Sequence, residues 1–225
     1  MINRIQSFLP AKEAGRTCVL SKSWLHDWST IPKNHLRFRP PLKLLSTQQL
    51  KTYSESINCT LQRWIHTVAS GSSLKELYLT ISVLESIALP YEIFLGENLE
   101  TISVKADPYF FLYHSLLMSN NLVIKCVNLR VLELIKVTLS DETLVNLLST
   151  CILLEKINLS NCKGLSRIKV KNLCYLPELE ITPGTGDLTS EIYDVPSLHI
   201  FKHTLLCDRN NFISVRKCER ISLNG

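Results

Sequence analysis

The chain of 225 residues has no uninterrupted run approaching the ~20 apolar residues that a membrane-spanning helix needs. Met1 to Pro10 carries one cation and no small-residue cleavage site after an apolar stretch, so no secretory signal is expected. Without export, the eight cysteines are expected as reduced thiols in the cytosol or nucleus. None forms a C-x-x-C, and no Cys/His cluster has zinc-ligand spacing, so no metal is expected.

Catalytic patterns are missing as well. There is no G-x-S-x-G, and no cysteine stands with an evident histidine partner. Pro183-Gly184-Thr185-Gly186 lacks the Lys-Ser/Thr of a phosphate loop and reads as a turn. His199 and His203 are four apart, but their segment reads as strand and loop, so they share no helix face. An enzyme is the least favoured class, and no cofactor is expected.

Charge is present but unevenly placed. Residues 1–43 hold eight Lys/Arg against Glu13 and Asp27, whereas the rest of the chain is close to neutral, within a total of +5. A basic head suits an acidic partner, protein or nucleic acid, although a solvated helix face has the same composition.

Leucine is present in a pattern. L-x-x-L-x-L recurs as Leu74/Leu77/Leu79, Leu99/Ile102/Val104, Leu129/Leu132/Leu134 and Leu154/Ile157/Leu159. Weaker copies follow at Leu176/Leu179/Ile181, Val195/Leu198/Ile200 and Cys218/Ile221/Leu223. The steps between first positions are 25, 30, 25, 22, 19 and 23 residues, and the copy at 154 extends to Cys162. Apart from the 30 and, by one residue, the 19, these steps fall within the period of leucine-rich repeats. About seven coils are expected, with parallel strands near 74–80, 99–105, 129–135, 154–160, 176–182, 195–201 and 218–223.

Between strands, Leu50, Tyr53, Ile57, Leu61, Trp64, Ile65 and Val68 follow helical spacing. Asp141 to Leu148 does likewise, with Asp141 as the expected cap and Leu144, Val145, Leu147 and Leu148 inward. Leu165/Ile168/Val170 repeats the leucine pattern only 11 residues after Leu154. A coil cannot cross the solenoid and return in ~11 residues at ~3.3 Å each, so this segment reads as a second, convex-side strand. Its outward Arg167, Lys169 and Lys171 read as a solvated face, since no aromatics interleave with them as at a nucleic-acid site. Cys126 and Cys151, three residues before a strand's first leucine, and Cys174, two before, read as packed thiols.

The N-terminal segment is the most specific part. Pro10 can start a helix in which Ala11, Ala14, Gly15, Cys18 and Val19 form one small-residue face. Trp24 and Trp28 share the face of a following turn, and Ile31-Pro32 stops it. The run Phe8-Leu9-Pro10-x-Lys12-Glu13-Ala14-x-Arg16-Thr17-x-Val19-Leu20-Ser21-Lys22-x-Trp24, with Trp28 and Ile31-Pro32, resembles the second half of a plant F-box. Arg63-Trp64-Ile65 and Leu74-Lys75-Glu76-Leu77-Tyr78-Leu79 resemble that family's entry into its repeats, and Cys151 to Val170 its cysteine-containing coil. The chain is thus similar, over nearly its whole length, to the plant F-box/leucine-rich-repeat proteins. Gly15 stands where the family usually has Ala, at a helical cost of about 1 kcal/mol.

The resemblance implies an α+β chain. Residues 1–43 would be a short helical F-box remnant. Residues 44–225 would be a leucine-rich-repeat solenoid with a parallel concave sheet and helices or short strands on the convex side. Only Ile2 to Phe8 remains of the F-box's opening helix, and no capping segment follows Cys218–Leu223, so truncation at both ends is expected.

It also implies a non-catalytic substrate receptor of a cullin–RING ubiquitin ligase. Ile5, Phe8, Leu9, Pro10, Val19, Leu20, Trp24 and Trp28 would dock in a groove of a Skp-type adaptor and, through it, on a cullin. Lys12, Arg16 and Lys22 would meet the adaptor's acidic character. A target protein would lie on the concave strands. Alternation points Glu76, Tyr78 and Thr80 outward there, then Thr101, Ser103 and Lys105. Val131, Glu133 and Ile135 follow, then Lys156, Asn158 and Ser160. The alternative is a repeat module that binds a target without a ligase connection. No membrane partner is expected, and a nucleic-acid partner is disfavoured.

Overall fold

A strand's side chains alternate, so the second and third residues of each L-x-x-L-x-L copy face one side and the first enters from the preceding turn. A computed structural model of the chain describes residues 33–38, 48–49, 52, 55–59, 61–62, 74–83, 87–108, 116–118, 123–184, 188–203, 212–216 and 222–224. In it the leucines of the first five copies are all buried in one continuous core. Each buried Leu or Ile contributes roughly 1.5–3 kcal/mol of transfer free energy, and repeat after repeat adds the same increment.

Eight strands make the main sheet: β1 (Lys33–Phe38), β2 (Glu76–Val83), β4 (Thr101–Pro108), β6 (Val131–Ile135), β8 (Lys156–Cys162), β10 (Glu178–Pro183), β12 (Ile200–His203) and β14 (Ser222–Asn224). They are ordered β1-β2-β4-β6-β8-β10-β12-β14, and every neighbouring pair is parallel. A second ladder of two-residue strands, β3 (Ile87–Ala88), β5 (Leu116–Leu117) and β7 (Val137–Thr138), follows three of them and is continued by a Thr138–Lys163 bridge. A third sheet holds β9 (Arg167–Lys171), β11 (Thr189–Tyr193) and β13 (Phe212–Arg216), also all parallel.

The convex strand expected at Leu165–Val170 is β9, and it is the first of three. Arg167 opposes Thr189, which opposes Phe212, so the later coils close with strands on both sides. Where residues allow, the chain instead builds helix α1 (Asp141–Thr150). Its cap is Ser140, whose hydroxyl accepts the Thr143 N–H at 3.2 Å, and not the expected Asp141. Asp141 reaches to the next coil and accepts the N–H groups of Ser166 and Arg167 at 2.9 and 3.1 Å. Thr143 is buried with Leu144, Leu147 and Leu148, while Val145 is half-exposed. In the first helical segment Ile57 and Leu61 are buried; the other apolar positions proposed there lie outside the described residues.

Three expectations are corrected. The main sheet already includes residues 33–38, a stretch that the reading of the sequence grouped with the F-box remnant. The sixth copy is slipped by three residues. Phe201 and His203, not Leu198 and Ile200, oppose Leu179 and Ile181. Val195 instead fills the turn position, where the Leu198 N–H donates to its carbonyl at 3.2 Å, as Leu129 does to Cys126. The true copy, Leu198/Phe201/His203, follows Leu176 by 22 residues, but its phenylalanine and histidine hide it from a leucine pattern. The seventh shifts with it, since Leu223 opposes Phe201. Cys174 is the third correction. Leu173 occupies the buried position of Cys126 and Cys151, and Cys174 is exposed.

His203 therefore sits at a core position, 5% exposed, with neither ring nitrogen hydrogen-bonded among the described residues and its ring tilted against Phe201 at 5.9 Å. Burial holds its pKa below the ordinary 6.5, because the charged form would lose its hydration. The unfolded chain then binds the proton more readily, so stability is retained above about pH 6.5 and falls as the pH drops below it. His203→Leu should raise the urea midpoint at neutral pH, and raise it further at pH 5.5. A gap between variant and wild type that does not widen on acidification would contradict this.

Candidate protein-binding face

Each main-sheet strand sends alternate side chains away from the core, and parallel registration lines them up across coils. The twelve residues expected on the concave side fall into three rows. Glu76, Thr101, Val131 and Lys156 oppose one another in the first; Tyr78, Ser103, Glu133 and Asn158 in the second; Thr80, Lys105, Ile135 and Ser160 in the third. Adjacent members are separated by the strand spacing of ~4.8 Å. Eleven are half-buried, and Ser103 is buried.

The sheet adds residues that were not singled out. Strand β1 places His35 beside Tyr78 and Arg37 beside Thr80. The His35 and Tyr78 rings stack at 4.3 Å with their planes 5° apart. Strand β10 extends the rows with Glu178, Glu180 and Thr182, and β12 adds Ile200 and Lys202. The copy Leu176-x-x-Leu179-x-Ile181 already held the signal for the β10 residues. For β1 there was none, because Asn34 stands opposite Leu77 where a leucine would mark a strand.

Most charges on this face are neutralised within it. Glu133 accepts the Ser103 hydroxyl at 2.8 Å and lies 3.5 Å from the Lys105 ammonium. Glu178 lies between Lys156 at 3.2 Å and Lys202 at 3.8 Å. The Tyr78 hydroxyl donates to Glu76 at 3.1 Å, and the Ser160 hydroxyl to Asn158 Oδ1 at 2.5 Å. Such part-exposed pairs add little stability, but they hold side chains in place. Val131 and Ile135, on either side of the neutralised Glu133, are two half-buried apolar positions in mid-sheet.

None of the described cysteines lies on this face. Beneath it, the Cys126 and Cys151 sulfurs lie 3.7 Å apart, and the Cys151 thiol donates to the Cys126 carbonyl at 3.3 Å. The thiol–thiol contact and burial hold the Cys151 pKa well above the usual thiol range. Burial pushes Cys162 up to about 12. Cys151 and Cys162 are therefore protonated packing groups. On the opposite sheet Arg167 is paired with Glu191, which also faces Lys169 in register, so part of the basic stripe is compensated. Among the described residues no helix is long and apolar enough to cross a membrane.

The residues proposed for the adaptor (Ile5, Phe8, Leu9, Pro10, Lys12, Arg16, Val19, Leu20, Lys22, Trp24 and Trp28) lie outside the described residues.

A parallel sheet over a stack of leucines, rising one strand per coil, defines a leucine-rich-repeat solenoid. The chain belongs to the family described as "At1g61320/AtMIF1, LRR domain", whose family model matches residues 31–216. It is similar to curated proteins of Arabidopsis thaliana. The F-box/LRR-repeat protein At5g02930 is 28% identical over 198 residues, 80% of this chain and 40% of that protein. F-box/LRR-repeat protein 25 is 28% identical over 202 residues, 80% of this chain and 72% of that protein. F-box protein At5g03100 is 26% identical over 202 residues, 80% of this chain and 60% of that protein. The chain therefore spans only two fifths of the first of these relatives. No solved structure matches it.

Proposed function

We propose that this chain serves as a substrate receptor of an SCF-type cullin–RING ubiquitin ligase, holding a target protein on the open face of its main sheet. The observation that carries this is the face itself: three registered rows of mixed side chains, with the apolar Val131 and Ile135 in mid-sheet, on a parallel sheet. Extended concave faces of this kind are what solenoids use for recognition. The relatives' F-box names and the F-box-like run from Phe8 to Trp24 support the ligase end. On this reading the protein does no chemistry, acts in the cytoplasm or nucleus, and needs no cofactor. Leu9, Trp24 and their apolar neighbours form the grip on the Skp-type adaptor, with buried aromatic anchors dominating.

Co-expression with a plant Skp-type adaptor followed by size-exclusion chromatography tests the ligase end. A one-to-one complex is expected, and Leu9→Ala/Trp24→Ala should abolish it. A folded chain that elutes alone would leave a repeat module that binds its target without a ligase connection.

A further inference from the structure

Beneath the open face, two cysteines stand at equivalent places in adjacent coils. Val131 on β6 opposes Lys156 on β8, and Cys126 and Cys151 each lie five residues before that pair. Their sulfurs are 3.7 Å apart, and both residues are completely buried. Stacked residues of neighbouring coils keep the strand spacing of ~4.8 Å, inside the Cα–Cα range of about 4.4–6.8 Å that a disulfide spans. The sulfurs need to close by under ~2 Å, a movement within reach of side-chain rotation. Cys162, the third buried thiol, meets the Leu134 carbonyl at 3.2 Å instead of a second sulfur.

Burial does not put the pair far from solvent. Cys126 and Cys151 each begin a turn whose next residue, Val127 or Ile152, is 48% or 56% exposed. The first turn is closed by the Leu129 N–H donating to the Cys126 carbonyl at 3.2 Å, so its brief opening admits a molecule little larger than water. Contact with Cys151 draws the Cys126 thiol below its usual range, which makes Cys126 the first to react. Cys151 stays protonated and supplies the second thiol.

We propose that Cys126 and Cys151 form a reversible redox switch, in which hydrogen peroxide oxidises the pair to a disulfide that ties the coil of β6 to the coil of β8. The Cys126 sulfur attacks one peroxide oxygen and the O–O bond breaks, leaving a sulfenic acid and, with the Cys126 proton, one water. The Cys151 sulfur then displaces the hydroxyl, which leaves with the Cys151 proton as a second water. Two thiols and one peroxide thus become one disulfide and two waters, and a dithiol reductant restores the thiols. The cross-link constrains the unfolded chain across 25 residues. In the folded chain it fixes the spacing of the strands that carry Val131, Glu133 and Ile135 and their neighbours Lys156, Asn158 and Ser160. The switch belongs to the solenoid itself and does not depend on the ligase reading.

Brief treatment of the purified full chain with hydrogen peroxide, followed by quenching and alkylation of free thiols after unfolding, tests this. Trypsin cleaves after Lys125, Arg130, Lys136 and Lys156, so Cys126 and Cys151 fall in separate peptides. Mass spectrometry should find these two peptides joined, and separate again after dithiothreitol. The urea midpoint of the oxidised chain should stand roughly 1 M above that of the reduced chain. That shift should vanish in Cys126→Ala and in Cys151→Ala. Both peptides recovered singly with alkylated cysteines, while the exposed Cys59 and Cys174 are oxidised, would overturn the proposal. So would either cysteine joined to a different partner, or a joined pair with no gain in the urea midpoint. The mass readout needs only the wild-type chain, so it decides the matter even where a variant folds poorly.

Discussion

Truncating Phe201 to alanine should destabilise the chain by about 4 kcal/mol, whereas Ile200→Ala should cost less than about 1 kcal/mol. Phe201 is completely buried opposite Leu179, and Ile200 is half-exposed on the open face opposite Glu178. Removing the ring leaves a cavity that neighbouring coils cannot close, because each is pinned by parallel hydrogen bonds on both sides. The pair is informative because the leucine pattern by itself makes the opposite assignment, with Ile200 in the core. Urea unfolding of both variants decides it. A larger loss for Ile200→Ala would mean that the sixth coil is registered as the pattern suggests.

The second large effect is expected at Gly184, just beyond β10 at the register irregularity between Thr182 and Pro183. A Cβ built there would stand 2.1 Å from the Cys162 carbonyl oxygen and 2.9 Å from its carbon. Those are backbone atoms of the neighbouring coil, so only separating the two coils relieves the clash. Gly184→Ala should cost about 3 kcal/mol for that displacement. Gly96→Ala is the comparison. Its new Cβ would meet Leu99 Cδ1 at 2.7 Å, the end of a side chain that can turn aside, and about 1 kcal/mol is expected. Equal losses at the two sites would show that the coils at Gly184 are not packed as described.

What could be read from the sequence follows from where leucine stands. Five strands and their register were legible because Leu, Ile or Val fills every inward position of their copies. Legibility failed where other residues do the same work. Phe201 and His203 fill one coil's core, and Ser190 is buried on β11 opposite Ile168. The convex strand β9 was legible from its own copy of the leucine pattern together with chain length, whereas β11 was not, since Ser190 and the neighbouring Glu191 break its apolar run. The helix start was misplaced by one residue because Ser140 and Asp141 are both good caps, and only the packing of the next coil assigns Asp141 to Ser166.

The open face was legible to a similar degree. Alternation alone places Glu76 through Ser160 outward, and registration then assembles them into rows. Which charges remain unsatisfied was not legible, since that depends on cross-strand reach. Lys105 meets Glu133, and Glu178 is shared by Lys156 and Lys202, while Arg37, Asp107 and Glu180 have no ion-pair partner among the described residues.

The most direct test of the account is quantitative capture from plant cells with degradation blocked, comparing the wild-type chain with Val131→Ser/Ile135→Ser. Both residues are half-exposed, so the variant should fold with little loss of stability. The account predicts that the variant keeps the Skp-type adaptor and loses a defined set of other proteins held by the wild type. The same set captured equally by both would contradict it, because the two apolar positions at the centre of the sheet would then have no part in holding a target.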